Sequence, residues 1–181
     1  LELNLPGTRA LAAGSAPLEP NAFIRIDRNG AVTLVMHKVE MGQGTYTSIS
    51  QLIAEELEVP LDTVTLEHAP PDPRYADPII GAQVTGGSTS IRGAWKPMRE
   101  AGATARTLLI QAAAKKWNTD PAKLVARDGA VIDAAGGRRA GYGELVDVAA
   151  TLPAPGAVTL KDPKDFRLVG KPVRRIDARG K

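Results

Sequence analysis

Two glycine-flanked polar turns carry the residue types most suited to binding a ligand in this chain. The first spans residues 40–45 (EMGQGT) and the second spans residues 85–90 (TGGSTS). Each leads into a predicted helix, whose N-terminus offers unpaired N–H groups and the positive end of the helix dipole. Because glycine lets a ligand approach the backbone, the pair predicts a site for one anion or polar heterocycle. Taken singly, each turn is more typical of an ordinary helix cap.

The side chains near these turns are mostly neutral donors and acceptors. Gln43, between two glycines, suits a fixed amide or an oxo group, and is also compatible with a solvated turn. The hydroxyls of residues 88–90 form a nest-like arrangement suited to phosphate, to which Arg92 adds a guanidinium fork; helix capping is the alternative. The polar groups near the turns are Glu40, Gln43, Thr45, Gln83, Thr85, Ser88, Thr89, Ser90 and Arg92.

Glu40 has the chemistry of a general base but the wrong setting for one. A helix N-terminus stabilises a carboxylate and lowers its pKa, whereas a proton shuttle near neutral pH needs a raised one. We interpret Glu40 as structural.

Composition excludes several classes of site. The chain of 181 residues has no cysteine, which rules out disulfides, thiolate zinc, a cysteine nucleophile and an iron–sulfur cluster held by this chain. Its two histidines, His37 and His68, are too few for a multi-histidine metal site. The Walker pattern, the G-x-G-x-x-G fingerprint and the G-x-S-x-G nucleophile elbow are absent.

Charge is concentrated at one end of the chain. The formal net charge is +3, but residues 161–181 hold eight Lys/Arg against three Asp, which leaves the rest near −2. This tail has one aromatic residue, Phe166, and no nucleic-acid motif, so we expect no nucleic-acid partner. No window approaches the roughly 18 consecutive apolar residues of a membrane helix, so no membrane segment is expected in this chain.

Hydrophobic periodicity and turn signals predict an α+β fold. An Asn-Gly turn between two β-branched runs predicts a hairpin, and Ser48 with Gln51 has capping-box spacing at the start of a helix. Pro97 predicts either a bend in the second helix or a later helix start near Ala94. The predicted elements are strands 23–26 and 32–36, helix 48–58, strand 63–67, helix 90–117, strands 124–126 and 130–132, and helix 142–150. The order β-β-α-β-α-β-β-α favours a mixed sheet with helices packed on one face.

Three regions follow from this pattern. Residues 1–22 lack steady periodicity and are predicted to be an irregular lead-in. Residues 23–150 form the predicted α+β domain, and residues 151–181, rich in proline and charge, are predicted to be a linker.

The two turns also carry a family resemblance. Residues 40–47 (EMGQGTYT), 54–57 (AEEL) and 81–95 (GAQVTGGSTSIRGAW) resemble the large molybdopterin-binding subunit of the xanthine dehydrogenase/aldehyde oxidase family, in the branch of the isoquinoline 1-oxidoreductase β-subunit. Residues 168–177 (LVGKPVRRID) resemble the segment that leads into the hammerhead-like domain of those subunits. The likeness covers residues 20–177, and two motifs at the family's separation are more specific than either alone.

The resemblance implies a bacterial molybdenum hydroxylase, which inserts a water-derived oxygen at an electron-poor carbon of an N-heterocycle or aldehyde. It further implies molybdopterin cytosine dinucleotide as the cofactor, held by both turns. The cofactor-binding residues so implied are Gly42, Gln43, Gly44, Gly86, Gly87, Ser88, Thr89 and Ser90, with Gln83 and Arg92 as weaker candidates.

The chain also departs from the family pattern. The family's essential base is a glutamate of a Gly-Glu motif near the far C-terminal end of the full subunit, so no catalytic residue is expected here, and Gly143-Glu144 matches only in spelling. The resemblance places the [2Fe-2S] clusters in a small partner subunit and the rest of the pocket in further domains. We therefore expect an N-terminal fragment that is inactive alone.

A non-catalytic interaction module, docking a partner through its helices and basic tail, is the alternative hypothesis. The substrate, the electron acceptor and a periplasmic or cytoplasmic location stay open at this point.

Overall fold

The computed structural model describes residues 16–178 and confirms the α+β class. Its strands and helices are, in chain order, β1 Leu18–Asn21, β2 Ile24–Ile26, β3 Val32–Met36, α1 Thr45–Leu57, β4 Val64–His68, α2 Ser90–Trp117, β5 Val125–Arg127, β6 Ala130–Asp133, β7 Arg138–Gly141 and α3 Val146–Ala149. Strands β1 and β7 are additions to the predicted order. The strands form two sheets, whereas the sequence predicted one.

The larger sheet sets the position of both turns. Its strand order is β1-β2-β3-β4, with antiparallel pairing except between β3 and β4, which run parallel on either side of α1 in the chain. Met36 at the end of β3 pairs with His68 at the end of β4. The loops that follow these strands, 37–44 and 69–89, therefore leave the sheet from the same edge. In open sheets this carboxyl edge is where ligands usually bind.

Close helix packing completes the layer against the sheet. Gly102 of α2 lies so near α1 that a Cβ there would stand 2.6 Å from the carbonyl oxygen of Ile53 and 2.9 Å from Cβ of Glu56. Only glycine allows this approach without a shift of backbone. The five residues of β3 are all buried, as expected for a strand covered on both faces.

The second sheet, β5-β6-β7, is antiparallel and shares the core of the first. The predicted hairpin at 127–129 is confirmed, and Asp128 and Gly129 both adopt positive φ, as a two-residue primed turn requires. The Gly129 N–H donates to the Glu58 carbonyl at 2.9 Å, and the Tyr142 hydroxyl donates to the Leu57 carbonyl at 2.6 Å. Both bonds fix the small sheet to the end of α1.

Two local predictions are corrected, and one alternative is decided. Residues 18–21 of the predicted irregular lead-in form β1, because hydrogen bonding to β2 stabilises a strand where the local sequence has little strand propensity. Residues 1–15 of the lead-in lie outside the described residues. Helix α1 begins at Thr45 and not at Ser48, whose hydroxyl donates to the Gly44 carbonyl instead of capping. Helix α2 spans Ser90–Trp117 as predicted, so Pro97 lies inside it and the alternative start near Ala94 is wrong.

The segment predicted to be a linker is irregular but packed onto the domain. The Glu55 carboxylate of α1 accepts N–H bonds from Arg167, Leu168 and Val169 at 2.9, 2.6 and 3.0 Å. Burial raises the pKa of Glu55, but Lys161 and these N–H groups hold it below its ordinary value. None of the helices in residues 16–178 is long and apolar enough to cross a membrane.

Candidate functional site

Glu40 shapes the first turn. Its carboxylate accepts N–H bonds from Gly42, Gly44 and Tyr46 at 2.8, 2.9 and 3.1 Å. Burial raises the pKa of Glu40, but these bonds and the Arg175 charge bring it below its usual value. The carboxylate thus caps α1 from within the chain. It explains why α1 begins at Thr45, and it occupies the N–H groups of Gly42, Gly44 and Tyr46, which are then not available to an external anion.

The Gln43 amide also bonds within its own turn. Its Oε1 accepts from the Met41 N–H at 2.5 Å, and its Nε2 donates to the Val39 carbonyl at 2.9 Å. An amide has two acceptor sites and two donor hydrogens, so one of each is left for a ligand. Gln43 is held in place by the turn and still presents a neutral donor and acceptor.

The second turn leaves its helix N-terminus open. Gly87 and Ser88 have φ of 60° and 53°, a left-handed pair that turns the chain into α2. Among the described residues, no acceptor bonds the N–H groups of Ser90, Ile91 and Arg92. These are the orphan donors of a helix start, and they are available to an anion.

Thr89 differs from its neighbours because its side chain points into the protein. The hydroxyl is buried and contacts the Asp77 carboxylate and the Gly86 carbonyl, the latter at 3.0 Å. Thr89 therefore holds the turn from inside, while Ser88 is exposed and Ser90 is half-buried.

A buried ion pair joins the two turns. Lys38 and Asp77 are 1% and 0% exposed at their side chains, and the Lys38 ammonium contacts the Asp77 carboxylate directly. Asp77 also accepts the Thr89 hydroxyl and the N–H groups of Ile79 and Ile80. Burial raises the pKa of Asp77, but the hydrogen bonds from Lys38 and Thr89 hold it well below its usual range. Sequence reasoning missed this pair, because nothing near either residue marks it as buried.

Two further bonds tie the loops together. The Lys38 ammonium donates to the Val84 carbonyl at 2.8 Å, and the Val39 N–H donates to the Thr85 hydroxyl at 2.8 Å. The loop after β3 and the loop after β4 therefore form one hydrogen-bonded unit at the sheet edge.

A cavity of about 410 Å³ opens between the N-termini of α1 and α2. Four of the predicted residues lie on it, which brings the two motifs together as the sequence suggested. The lining residues are Gln43, Thr45, Ser48, Ser88, Ser90, Ile91, Arg92 and Trp95. The remaining predicted glycines, Gly42, Gly44, Gly86 and Gly87, belong to the turns beside it but are not among its lining residues.

Gln83 lies elsewhere. Its amide accepts from the Asp72 N–H and donates to the Pro70 carbonyl, both at 3.2 Å, so it braces the proline-rich loop. It lines a separate cavity of about 610 Å³ together with His37 and His68.

The two histidines do not form a metal site. The His37 ring packs edge-on against the Phe23 ring, with 5.4 Å between the ring centroids. Its Nδ1 has no hydrogen-bond partner among residues 16–178. Burial, and next the Lys38 charge, lower the pKa of His37 to about 4. His68 contacts the Tyr46 hydroxyl. In the described part of the chain, no group of three or more His, Cys, Asp or Glu side chains is placed to hold a metal ion.

The Gly143-Glu144 pair has a structural role. A Cβ on Gly143 would lie 2.2 Å from the Arg28 carbonyl oxygen, so glycine is required for the short helix to pack on the first hairpin. Glu144 accepts the Gly141 N–H at 2.8 Å. Neither residue lines the cavity between the turns.

The model of the molybdopterin cofactor-binding domain matches residues 6–172, which is most of the chain. The chain belongs to that family. This membership accounts for the joint occurrence of the two turns.

Curated relatives have 30–33% identity to this chain. The chain is 32% identical to the beta subunit of isoquinoline 1-oxidoreductase from Brevundimonas diminuta, over 90% of this chain and 25% of the relative. It is 30% identical to a membrane-bound aldehyde dehydrogenase [pyrroloquinoline-quinone] of Gluconacetobacter polyoxogenes, over 94% of this chain and 21% of the relative. It is 33% identical to a subunit of nicotinate dehydrogenase from Pseudomonas putida, over 97% of this chain and 15% of the relative. The chain thus spans a quarter or less of these relatives' length.

Solved structures share the fold. Quinoline 2-oxidoreductase from Pseudomonas putida 86 superposes with a TM-score of 0.54 at 23% identity, over 71% of this chain and 16% of that one. The Cu,Mo-CO dehydrogenase superposes with a TM-score of 0.55 at 24% identity, over 79% of this chain and 18% of that one. At this identity the likeness supports the architecture alone.

Proposed function

We propose that this domain binds molybdopterin cytosine dinucleotide in a bacterial molybdenum hydroxylase and holds it in the cavity between the N-termini of α1 and α2. The observation that carries the proposal is that cavity, where Gln43 of one motif faces Ser88, Ser90 and Arg92 of the other. Gly42, Gly44, Gly86, Gly87 and Thr89 are proposed to shape the two turns around the cofactor. Gln83, on the other cavity, is proposed only to brace the loop.

The charge around the cavity suits a phosphate-bearing ligand. Neither helix has an acidic residue in its first turn, and no carboxylate lines the cavity. Arg92 lies at the positive end of α2, and no carboxylate in residues 16–178 pairs with it. A cation there is unfavourable unless an anion joins it. The open N–H groups, Arg92 and two serine hydroxyls together can bind a pyrophosphate.

Gly86 gives a second reason to expect a bound group. Its φ is not in the left-handed region, and a Cβ there would meet nothing within 4 Å. Nothing in the described chain therefore requires glycine at this position. A ligand that lies against the backbone would require it, and a pterin or phosphate at the second turn is such a ligand.

The cofactor supplies the oxidation chemistry when it is bound. The residues of this chain would bind and orient it: Gln43 through a neutral donor and acceptor, and the start of α2 through N–H groups and hydroxyls. By analogy with the relatives named for isoquinoline and nicotinate, we propose an N-heterocycle as substrate, and an aldehyde as the second possibility.

The proposed partners follow from the same analogy and from composition. Two relatives are named as subunits, and this chain has no cysteine to hold a cluster. We propose a small [2Fe-2S] subunit as the partner that holds the clusters, further domains of the same large subunit to complete the pocket, and no activity from residues 1–181 alone.

The alternative hypothesis of a docking module loses part of its support. Two cations of the basic tail pair within the domain, Lys161 with Glu55 and Glu58, and Arg167 with Glu58. These cations are not a free surface for an acidic partner.

The test is the cofactor content of a double variant, Gln43→Ala with Ser88→Ala, in the natural protein purified with its small subunit. Loss of two polar contacts of about 0.5–1.5 kcal/mol each should weaken binding roughly tenfold, and molybdenum and released cytosine nucleotide should fall together. The matched control is Gln111→Ala with Thr119→Ala, an amide and a hydroxyl outside the cavity. Unchanged molybdenum and nucleotide in the Gln43/Ser88 variant would refute the proposed site.

A further inference from the structure

Within residues 161–178, the side chain of Arg175 contacts the first turn, residues 40–45. Arg175 donates to the Gly42 carbonyl at 2.9 Å and to the Glu40 carboxylate at 3.2 Å. These are the backbone and the acid that define the turn. The contact joins residues more than 130 positions apart in the sequence.

Arg175 is held in place for this contact. Asp177 binds its guanidinium at two points, 3.0 and 2.7 Å, and the Ile176 N–H donates to the Thr47 hydroxyl at 3.1 Å. These three bonds therefore fix both the guanidinium plane and the backbone beside α1. A fork oriented in this way can bind two acceptors at once, which a lysine ammonium does less well.

The Glu40 carboxylate needs such a cation. It is 8% exposed and accepts three N–H groups, yet Arg175 is the one cation that contacts it within residues 16–178. Without Arg175, the charge that organises the turn has only neutral partners. The Gly42 carbonyl loses its donor at the same time, at a glycine whose φ of 101° is one that other residues rarely adopt.

We propose that Arg175 is a positioning residue that locks the 40–44 turn in its ligand-binding form and makes that form depend on docking of residues 161–178. This rests on the proposed function in one respect: the turn it locks is the one proposed to contact the cofactor. The docking itself is anchored separately, by the bonds of Glu55 to residues 167–169.

The test compares three variants in the natural protein. Arg175→Ala removes both bonds, and Arg175→Lys keeps the charge but not the fork. Arg174→Ala is the control, since Arg174 is exposed and has no ion pair or hydrogen bond in the described structure. Amide hydrogen exchange is measured by mass spectrometry on the peptide covering residues 40–47 and on the one covering 165–170, in cofactor-free protein, and molybdenum is measured in the loaded protein.

We expect exchange in the 40–47 peptide to be about tenfold faster in Arg175→Ala, as charge-assisted bonds of this kind imply, with Arg175→Lys intermediate and Arg174→Ala unchanged. Exchange at 165–170 should stay within twofold of wild type, which separates a local lock from general loosening of the tail. Molybdenum content should fall in the same order as the exchange rate rises.

Equal exchange at 40–47 in Arg175→Ala and wild type would overturn the proposal, and so would an equal rise in both peptides. Absence of molybdenum from the wild-type protein would refute the proposed function instead, and the exchange comparison would still decide the role of Arg175.

Discussion

Removing the Lys38 ammonium should be among the most damaging single changes near the site. Lys38→Met keeps an unbranched side chain that is one atom shorter and leaves Asp77 as a buried carboxylate without its cation. Both side chains are at most 1% exposed, so water cannot replace the lost partner. Breaking a buried pair on one side costs about 3–5 kcal/mol of the free energy of unfolding. For a domain of this size that corresponds to a melting temperature lower by about 6–20 °C.

The same change should disturb the site, because Asp77 also holds Thr89 at the start of α2. The assay is thermal and urea unfolding of the purified protein. Lys96→Met is the matched control, since Lys96 is 75% exposed and its contact with Glu100 is 3.7 Å; its effect should stay within about 0.5 kcal/mol. Lys38→Met with Asp77→Asn should recover part of the loss, which gives the coupling energy of the pair.

Acid provides an independent check on this reasoning. The pKa of Asp77 is depressed in the folded protein, so its contribution to stability is present above its unfolded pKa of 3.8 and is lost as pH falls through the folded value. In Lys38→Met the pKa of Asp77 rises, so Asp77 is protonated at a higher pH than in the wild type. Protonation removes the unpaired buried charge and with it part of the destabilisation. The difference in stability should therefore narrow on acidification. A Lys38→Met protein as stable as the Lys96→Met control at pH 7 would refute the account of the pair.

Two further predictions concern packing and pH. Gly102→Ala places a Cβ 2.6 Å from the Ile53 carbonyl oxygen, so it should cost about 1–3 kcal/mol in urea unfolding despite the better helix propensity of alanine, and an unchanged midpoint would contradict the close packing. His37 is neutral when folded because burial lowers its pKa from 6.5 to about 4, so stability should fall as pH drops between these values, and His37→Gln should reduce that fall between pH 7 and 5. Parallel pH profiles for wild type and His37→Gln would contradict it.

Local signals predicted most of the elements. The Asn-Gly turn at 29–30 predicted its hairpin, and the alanine-rich pattern of α2 predicted a long helix; both are confirmed. Strands β1 and β7 have the sequences LEPN and RRAG, which have little strand propensity. Pairing with β2 and β6 makes them strands, and pairing cannot be read from four residues.

The site was predictable in part because two motifs carried a family resemblance. The two motifs together predicted that Gln43 and Ser88 share one site, which neither turn alone could indicate. In the structure both residues line one cavity. The inward side chain of Thr89 depends on Asp77, twelve positions away in a proline-rich loop. The docking of residues 161–178 depends on buried Glu55, which by type belongs on a solvated helix face. Such partners are set by tertiary structure.

The most direct test of the central claim is molybdenum and nucleotide analysis of the natural protein purified with the proposed small subunit from a host that makes the cofactor. The account predicts molybdenum near one atom per chain, with an equal amount of cytosine nucleotide released on hydrolysis. A complex that is intact but free of both would contradict it.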